Sequence, residues 1–265
     1  MLLRVVLGMM VLGPVLATAQ ETPPADPAAW AVLGRDAVTL GPRNRIAGAA
    51  GVTGGELRLK RAARVSGAAA GESIRLAGGA KVGGLFCILV VGGQTSCSPP
   101  PDPLVDDALL PVVQATPGGQ DITVPRRARR LELVPGRYRD ITVGAGSELR
   151  FAPGTFDVRS VKLAPGARIL CLGDCDIEVR RGFQLGARGR VEAAPGAVAA
   201  ITLRVQGDRA SLVRLGARSR VTADVYAPTA DVRIGQRARI TGRIVGDTVT
   251  TAGRVRVTHP AAALP

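Results

Sequence analysis

The sequence predicts an all-β fold, a right-handed parallel β-helix of about 20-residue coils, and three observations point to the solenoid. First, one template recurs: an aliphatic residue, four variable residues, a basic residue, then Val or Ile. Leu40 with Arg45-Ile46, Leu59 with Arg64-Val65 and Leu76 with Lys81-Val82 fit it. So do Leu163 with Arg168-Ile169, Leu185 with Arg190-Val191 and Leu215 with Arg220-Val221. Ile234 with Arg239-Ile240 and Val249 with Arg254-Val255 complete the set, and Val143 with Glu148-Leu149 carries an acid in the basic slot. Second, runs such as Glu56 to Lys60 and Ser73 to Ala77 alternate apolar and polar residues, the period of a strand. Third, the chain holds 34 Gly and 19 Pro but four Phe, two Tyr and one Trp. Small aliphatics must then fill a narrow, layered interior, with frequent turns between short strands. One such coil cannot bury its own apolar face, so the repeats are stable only when stacked.

Taken in order, the chain opens with Arg4, an apolar run from Val5 to Leu16, and Ala17-Thr18-Ala19. These are the parts of a secretory signal peptide over 1–19, with a run shorter than the roughly 20 residues of a membrane span. No Cys follows the cleavage site, and no later stretch is apolar enough to cross a bilayer. The mature chain is expected outside the cytoplasm, in the periplasm, at the cell surface or in the medium. Residues 20–36 read as a linker or N-terminal cap, with Trp30 plugging the end of the core. First coils follow over 37–97, ending in a cysteine loop.

The pattern breaks between residues 85 and 119. Ser98-Pro-Pro-Pro-Asp-Pro103 excludes a central strand, because each proline removes a ladder donor. Residues 98–119 are therefore expected to leave the solenoid, with one helical turn around 106–110. The main β-helix resumes over 120–258. Val124 with Arg130-Leu131 is the template lengthened by one residue, and Pro-Gly turns follow at Pro135-Gly136 and Pro153-Gly154. The tail 259–265 has no pattern and is expected to fray.

Four cysteines form two local pairs, Cys87 with Cys97 and Cys171 with Cys175. In an exported chain an even count reads as disulfides. For Cys171 and Cys175 a metal site beside Asp174 and Asp176 is the alternative, and it lacks a second ligand cluster. No cofactor is expected.

The segment from Val225 through Tyr226-Ala-Pro-Thr-Ala230 to Thr250 resembles the closing coils of β-helix domains in bacterial surface and pilus-assembly-associated proteins. Thr229 stands where those domains usually have Asn. The units ending at Gly67 and Gly242 also resemble the repeats of bactofilins, the polymer-forming β-helix proteins. The resemblance implies the β-helix fold and its right-handed winding, and fold alone does not fix function.

The formal net charge of +14 favours polyanionic partners such as acidic polysaccharide or a phosphate-bearing envelope surface. Stacking should bring Arg45, Arg64, Lys81, Arg168, Arg190, Arg220, Arg239 and Arg254 into one column. Arg43, Arg188, Arg218 and Arg237, two residues earlier, should form a second. One reading is a working basic stripe, since Arg suits bidentate contacts to carboxylate or phosphate. The other is a solvated edge interleaved with Glu148, Glu192, Asp224 and Asp231. Nucleic acid fits poorly, because no aromatics interleave the stripe. An enzyme would have to work without a core histidine, as His259 is the only one. The most compact alternative is the face of Asp174, Asp176, Glu178 and Arg180, suited to a sugar or calcium. The expectation is a non-enzymatic structural or adhesive protein of the cell envelope, with a carbohydrate-active β-helix or a self-associating scaffold as alternatives.

Overall fold

The computed structural model describes residues 29–92, 97–99, 113–128, 131–197, 199–207 and 211–259. The proposed leader, most of the proline-rich segment with its expected helical turn, and the tail beyond His259 lie outside them. All pairings between the described strands are parallel, and the strands join into a single 22-stranded sheet wound into a solenoid of about 11 turns, with coils of roughly 19 residues.

Each turn has three short faces. In the coil that starts at Trp30 they are 30–34, 37–40 and 45–47, and the next coil repeats them at 49–52, 56–59 and 64–66. Period-two alternation sends one side chain of each pair inward. Val32, Ile244, Val225, Leu203, Ile177 and Phe156 stack along the first face. Val38, Val249, Val232, Val213 and Phe183 stack along the second. Ile46, Val257, Ile240, Val221, Val191, Ile169 and Leu149 stack along the third. All of these are buried. β-branched residues dominate because a slot one strand wide favours stiff, compact side chains. Phe151 and Phe156 fill one corner, their rings stacked 4.3 Å apart.

The order of coils in space is not their order in sequence. The strand Trp30–Leu40 pairs with Ile244–Thr251 on one side and with the strands of the following coil on the other. Arg45–Ala47 likewise lies between Arg256–Thr258 and the strand starting at Arg64. The N-terminal coils therefore stack on the C-terminal coil. The rod runs from the coils near Ile122 and Leu131 through Thr258, then Trp30, and ends at Lys81–Val91. Ser98 bridges to Phe86 in that last coil, and the Thr116 hydroxyl donates to Asp157 Oδ2 at 3.4 Å near the opposite end of the rod.

This seam holds a buried polar network. Asn44 and Thr251 are both buried, at 0% and 4% exposure. The amide of Asn44 donates to Thr251 Oγ1, which also accepts from Gly41 N at 2.9 Å. Asn44 Oδ1 in turn accepts from Val255 N at 2.9 Å.

Several sequence expectations change here. The first strand begins at Trp30, inside the segment read as a linker. Trp30 does not plug an end: it sits mid-rod on the outer side of the first face, clustered with Leu33, Ala68, Phe86 and Val245. Its ring lies over Gly51, where an added Cβ would come within 2.5 Å of it, so only glycine fits beneath. Regular pairing persists to Val91, past the expected break at 85. His259 is buried rather than frayed, and its N–H donates to Ala47 O at 3.1 Å.

Candidate functional site

The third face places its first outward residue at the same height on every coil. Backbone register sets Arg168 beside Arg190, Arg190 beside Arg220, Arg220 beside Arg239 and Arg239 beside Arg256. The column then crosses the seam. Arg256 pairs with Arg45, Arg45 with Arg64 and Arg64 with Lys81. Eight basic residues thus follow one another without interruption, and Glu148 closes the column beside Arg168. The permuted coil order is what fuses two sets of repeats, distant in sequence, into one line.

One residue departs from expectation. Arg254 does not occupy this column; Arg256 does, because Thr251, not Val249, pairs with Ile234. Thr251 with Arg256-Val257 is the template with a threonine in its aliphatic slot, and admitting Thr there would have located Arg256 from sequence. Thr251 is polar because its hydroxyl serves the seam.

Arg254 belongs instead to the second column, at the corner that precedes the third face. Arg188, Arg218, Arg237, Arg254 and Arg43 all have φ between 57° and 62°, the left-handed region. Their N–H groups bond across coils: Arg188 N to Ala217 O, Arg218 N to Gln236 O, Arg237 N to Gly253 O, Arg254 N to Pro42 O. Gly79, Gly146 and Gly166 hold the same corner in other coils at φ 73°, 68° and 72°. Glycine adopts this conformation freely, whereas an L side chain there costs about 1–2 kcal/mol. With Arg127, six arginines among the described residues, and Ala62 beside them, thus occupy a position at which glycine would be easier on the backbone.

Most of these side chains point into solvent. Among the described residues only Arg190 has an ion pair, with Glu192 at 3.5 Å. The other acids expected to interleave are engaged elsewhere: Glu148 with Arg150 at 2.9 Å, Asp231 with Arg233 at 3.2 Å, Asp224 with Arg243. Of the four acids expected to interleave, Glu192 alone pairs with a cation of the column among the described residues. Neighbouring coils stand about 4.8 Å apart, less than the screening length of about 8 Å at physiological salt. The charges act as a line, each neighbouring pair repelling by up to about 1 kcal/mol even in bulk water. Two hollows, of about 510 and 320 Å³, open along the line around Arg43, Arg45, Arg64, Lys81, Arg254 and Arg256. The floor of the larger is low because Ala47, Ser66 and Gly83 follow the cations on the same strands.

The cysteines divide. Cys87 and Cys97 form a disulfide, with Cα atoms 5.4 Å apart. Cys171 and Cys175 do not: both are free, buried thiols. Cys171 occupies the inward slot of its column between Phe151 and Ala193, and Cys175 opens the next strand. The two thiols hydrogen-bond each other, which pushes the Cys171 thiol up and the Cys175 thiol down. Cys175 also donates weakly to Ala152 O at 3.9 Å. They are built as core side chains, and the expected second disulfide is absent.

The acidic face is likewise dispersed. Arg204 spans Asp176 and Glu178 at 3.2 and 3.3 Å, and Asp174 accepts from Ala200 N at 2.8 Å. Arg180 is exposed and makes no ion pair with the three acids among the described residues. Among the described residues no group of three or more His, Cys, Asp or Glu could hold a metal ion, and no helix is long and apolar enough to cross a membrane.

Neither a protein family model nor a curated protein matches the chain. Among solved structures, an ice-binding protein from the Antarctic ascomycete Antarctomyces psychrotrophicus aligns over 88% of this chain and 95% of its own, at 13% identity and a TM-score of 0.38. An ice-binding protein from an Antarctic biological consortium aligns over 94% and 96%, at 14% identity and the same TM-score of 0.38. Superpositions this loose carry no weight for function.

Proposed function

We propose that this protein is an exported, non-enzymatic β-helix of the cell envelope whose arginine edge holds an extended polyanion, foremost an acidic polysaccharide. The observation that carries this reading is the column from Arg168 to Lys81, eight cations long, in which only Arg190 is ion-paired among the described residues. A line of like charges at strand spacing is unfavourable alone and is relieved by a polymer bearing one anion per unit along the groove. The arginines retained in left-handed corners support the same reading. Export is supported by the Cys87–Cys97 disulfide, since such bonds persist in oxidising compartments. The carbohydrate-active alternative rests on Asp174, Asp176 and Glu178, and each of these carboxylates already has a partner.

The deciding experiment is retention of the mature protein on immobilised acidic polysaccharide across a salt series, with neutral polysaccharide and anionic-lipid vesicles alongside. Binding to the acidic polymer should be strong at low salt and fall steeply as salt rises. The triple variant Arg190→Ala/Arg220→Ala/Arg239→Ala should release at much lower salt while unfolding at the same temperature. Equal retention of the triple variant would refute the edge as the binding surface, and preference for vesicles would replace the polymer with a membrane.

A further inference from the structure

The corner between the first and second faces changes width abruptly at one place. A single residue, Arg159, separates Val158 from Ser160, but in the next coil two residues, Arg180 and Arg181, separate Val179 from Gly182. One coil further on, six residues separate the strand Ile201–Val205 from Leu212–Leu215. Extra residues at a coil corner bend the chain outward and re-aim side chains, as bulges do beside many binding sites. At this corner lies a hollow of about 770 Å³, larger than either hollow on the arginine edge and on a different corner of the rod.

Its lining is chemically one-sided. Lys162, Arg180 and Arg181 border it, and all three are exposed. None has an ion pair among the described residues, whereas Arg159 beside them is neutralised by Asp140. Gly182 forms the floor, breaking the outward column between Ser160 and Leu212. Gln206, also in the lining, has its Oε1 buried with no hydrogen-bond donor. Such an acceptor is unfavourable until a donor reaches it.

We propose that this hollow binds a phosphate or sulfate ester carried on a sugar. Lys162, Arg180 and Arg181 would take the ester oxygens through charge-assisted hydrogen bonds. Gln206 Oε1 would accept from a sugar hydroxyl. The proposal is independent of the polyanion reading, because the two sites share no residue.

The test is calorimetric titration of the mature protein with glucose 6-phosphate, inorganic phosphate and glucose, each alone at low salt. Glucose 6-phosphate should bind saturably at one site per chain and more tightly than inorganic phosphate, and glucose should not bind. Arg180→Ala/Arg181→Ala should weaken the sugar phosphate by about tenfold or more. Gln206→Leu should weaken the sugar phosphate and leave inorganic phosphate unchanged. The triple variant of the arginine edge should titrate as wild type, which keeps this site's failure distinct from that one's. Displacement of glucose 6-phosphate by a sulfated disaccharide would identify esters on a polymer as the source, and no displacement would identify free sugar phosphates. No saturable binding, or binding that survives Arg180→Ala/Arg181→Ala, overturns the proposal.

Discussion

Asn44 and Thr251, 207 positions apart in the sequence, hydrogen-bond each other inside the solenoid. They join the first described coil to the last. Replacing either leaves its partner buried with an unmet hydrogen bond, at a cost of roughly 1–3 kcal/mol. Asn44→Ala and Thr251→Val should each lower the urea midpoint by an equivalent amount, followed by fluorescence of Trp30, the only tryptophan. The double variant should cost less than the two singles added, since one loss removes the other's partner. Additive losses would mean that the two side chains do not act as a unit.

Backbone strain and binding should trade against each other at the left-handed corners. Arg218→Gly and Arg237→Gly relieve about 1–2 kcal/mol of strain each and give back about 0.5–1 kcal/mol in unfolded-state freedom. Each variant should therefore be as stable as wild type or more so by up to about 1.5 kcal/mol. Its release from acidic polysaccharide should nonetheless shift to lower salt. A glycine variant that is less stable would show that these arginines hold the fold through contacts of their own.

The two cysteine pairs should separate chemically. Titration of the unreduced protein in denaturant should find two reactive thiols per chain, from Cys171 and Cys175, and two more after reduction. In the native state both should resist alkylation, being buried at 0% and 1% exposure. Finding no thiol in denaturant before reduction would show the second pair to be joined.

Acid should loosen the end of the rod near Asp121 and Asp140. The Arg159 guanidinium beside Asp140 holds its carboxyl below the ordinary 3.8, and Arg139 does the same for Asp121. A carboxylate whose folded value is depressed stabilises the fold fully above its unfolded value. That contribution fades as pH falls from about 4 through the lower folded value. Thermal midpoints measured between pH 7 and pH 2 should drop in this window. Asp140→Asn should lower the midpoint at neutral pH and flatten the drop; an unchanged acid profile would place the acid sensitivity elsewhere.

The coil architecture is legible in the sequence because it is local. Five-residue spacing and period-two alternation put Leu215 and Val221 in the core and Arg220 outside without any long-range information. Arg254 shows the limit of that reading: it meets the template by spacing, yet register is decided by what Thr251 touches on a coil 200 residues away. The stacking of Trp30–Leu40 on Ile244–Thr251 has no local signature either, because every coil offers nearly the same edge to its neighbours. Cys171 and Cys175 look like a staple by spacing, but a pair of small sulfur side chains equally suits an inward slot, and nothing in the spacing separates the two. The widened corner at Arg180-Arg181 adds a single residue to its coil, which leaves the template on either side intact and gives no local sign of the hollow beside it.

Stacking the first coils on the last has a cost in time. Trp30 through Val91 leave the ribosome first, and their template edge, Ile244 through Thr258, follows only after the whole of the main stack. At about 5–20 residues per second the interval is roughly 10 to 30 s. Throughout that interval the early coils have a raw edge and no neighbour to rest on. The main stack can grow coil by coil as it is made; the N-terminal coils can only wait. Delivery of an unfolded chain to its destination, before the two ends meet, suits such a molecule better than folding at the point of synthesis.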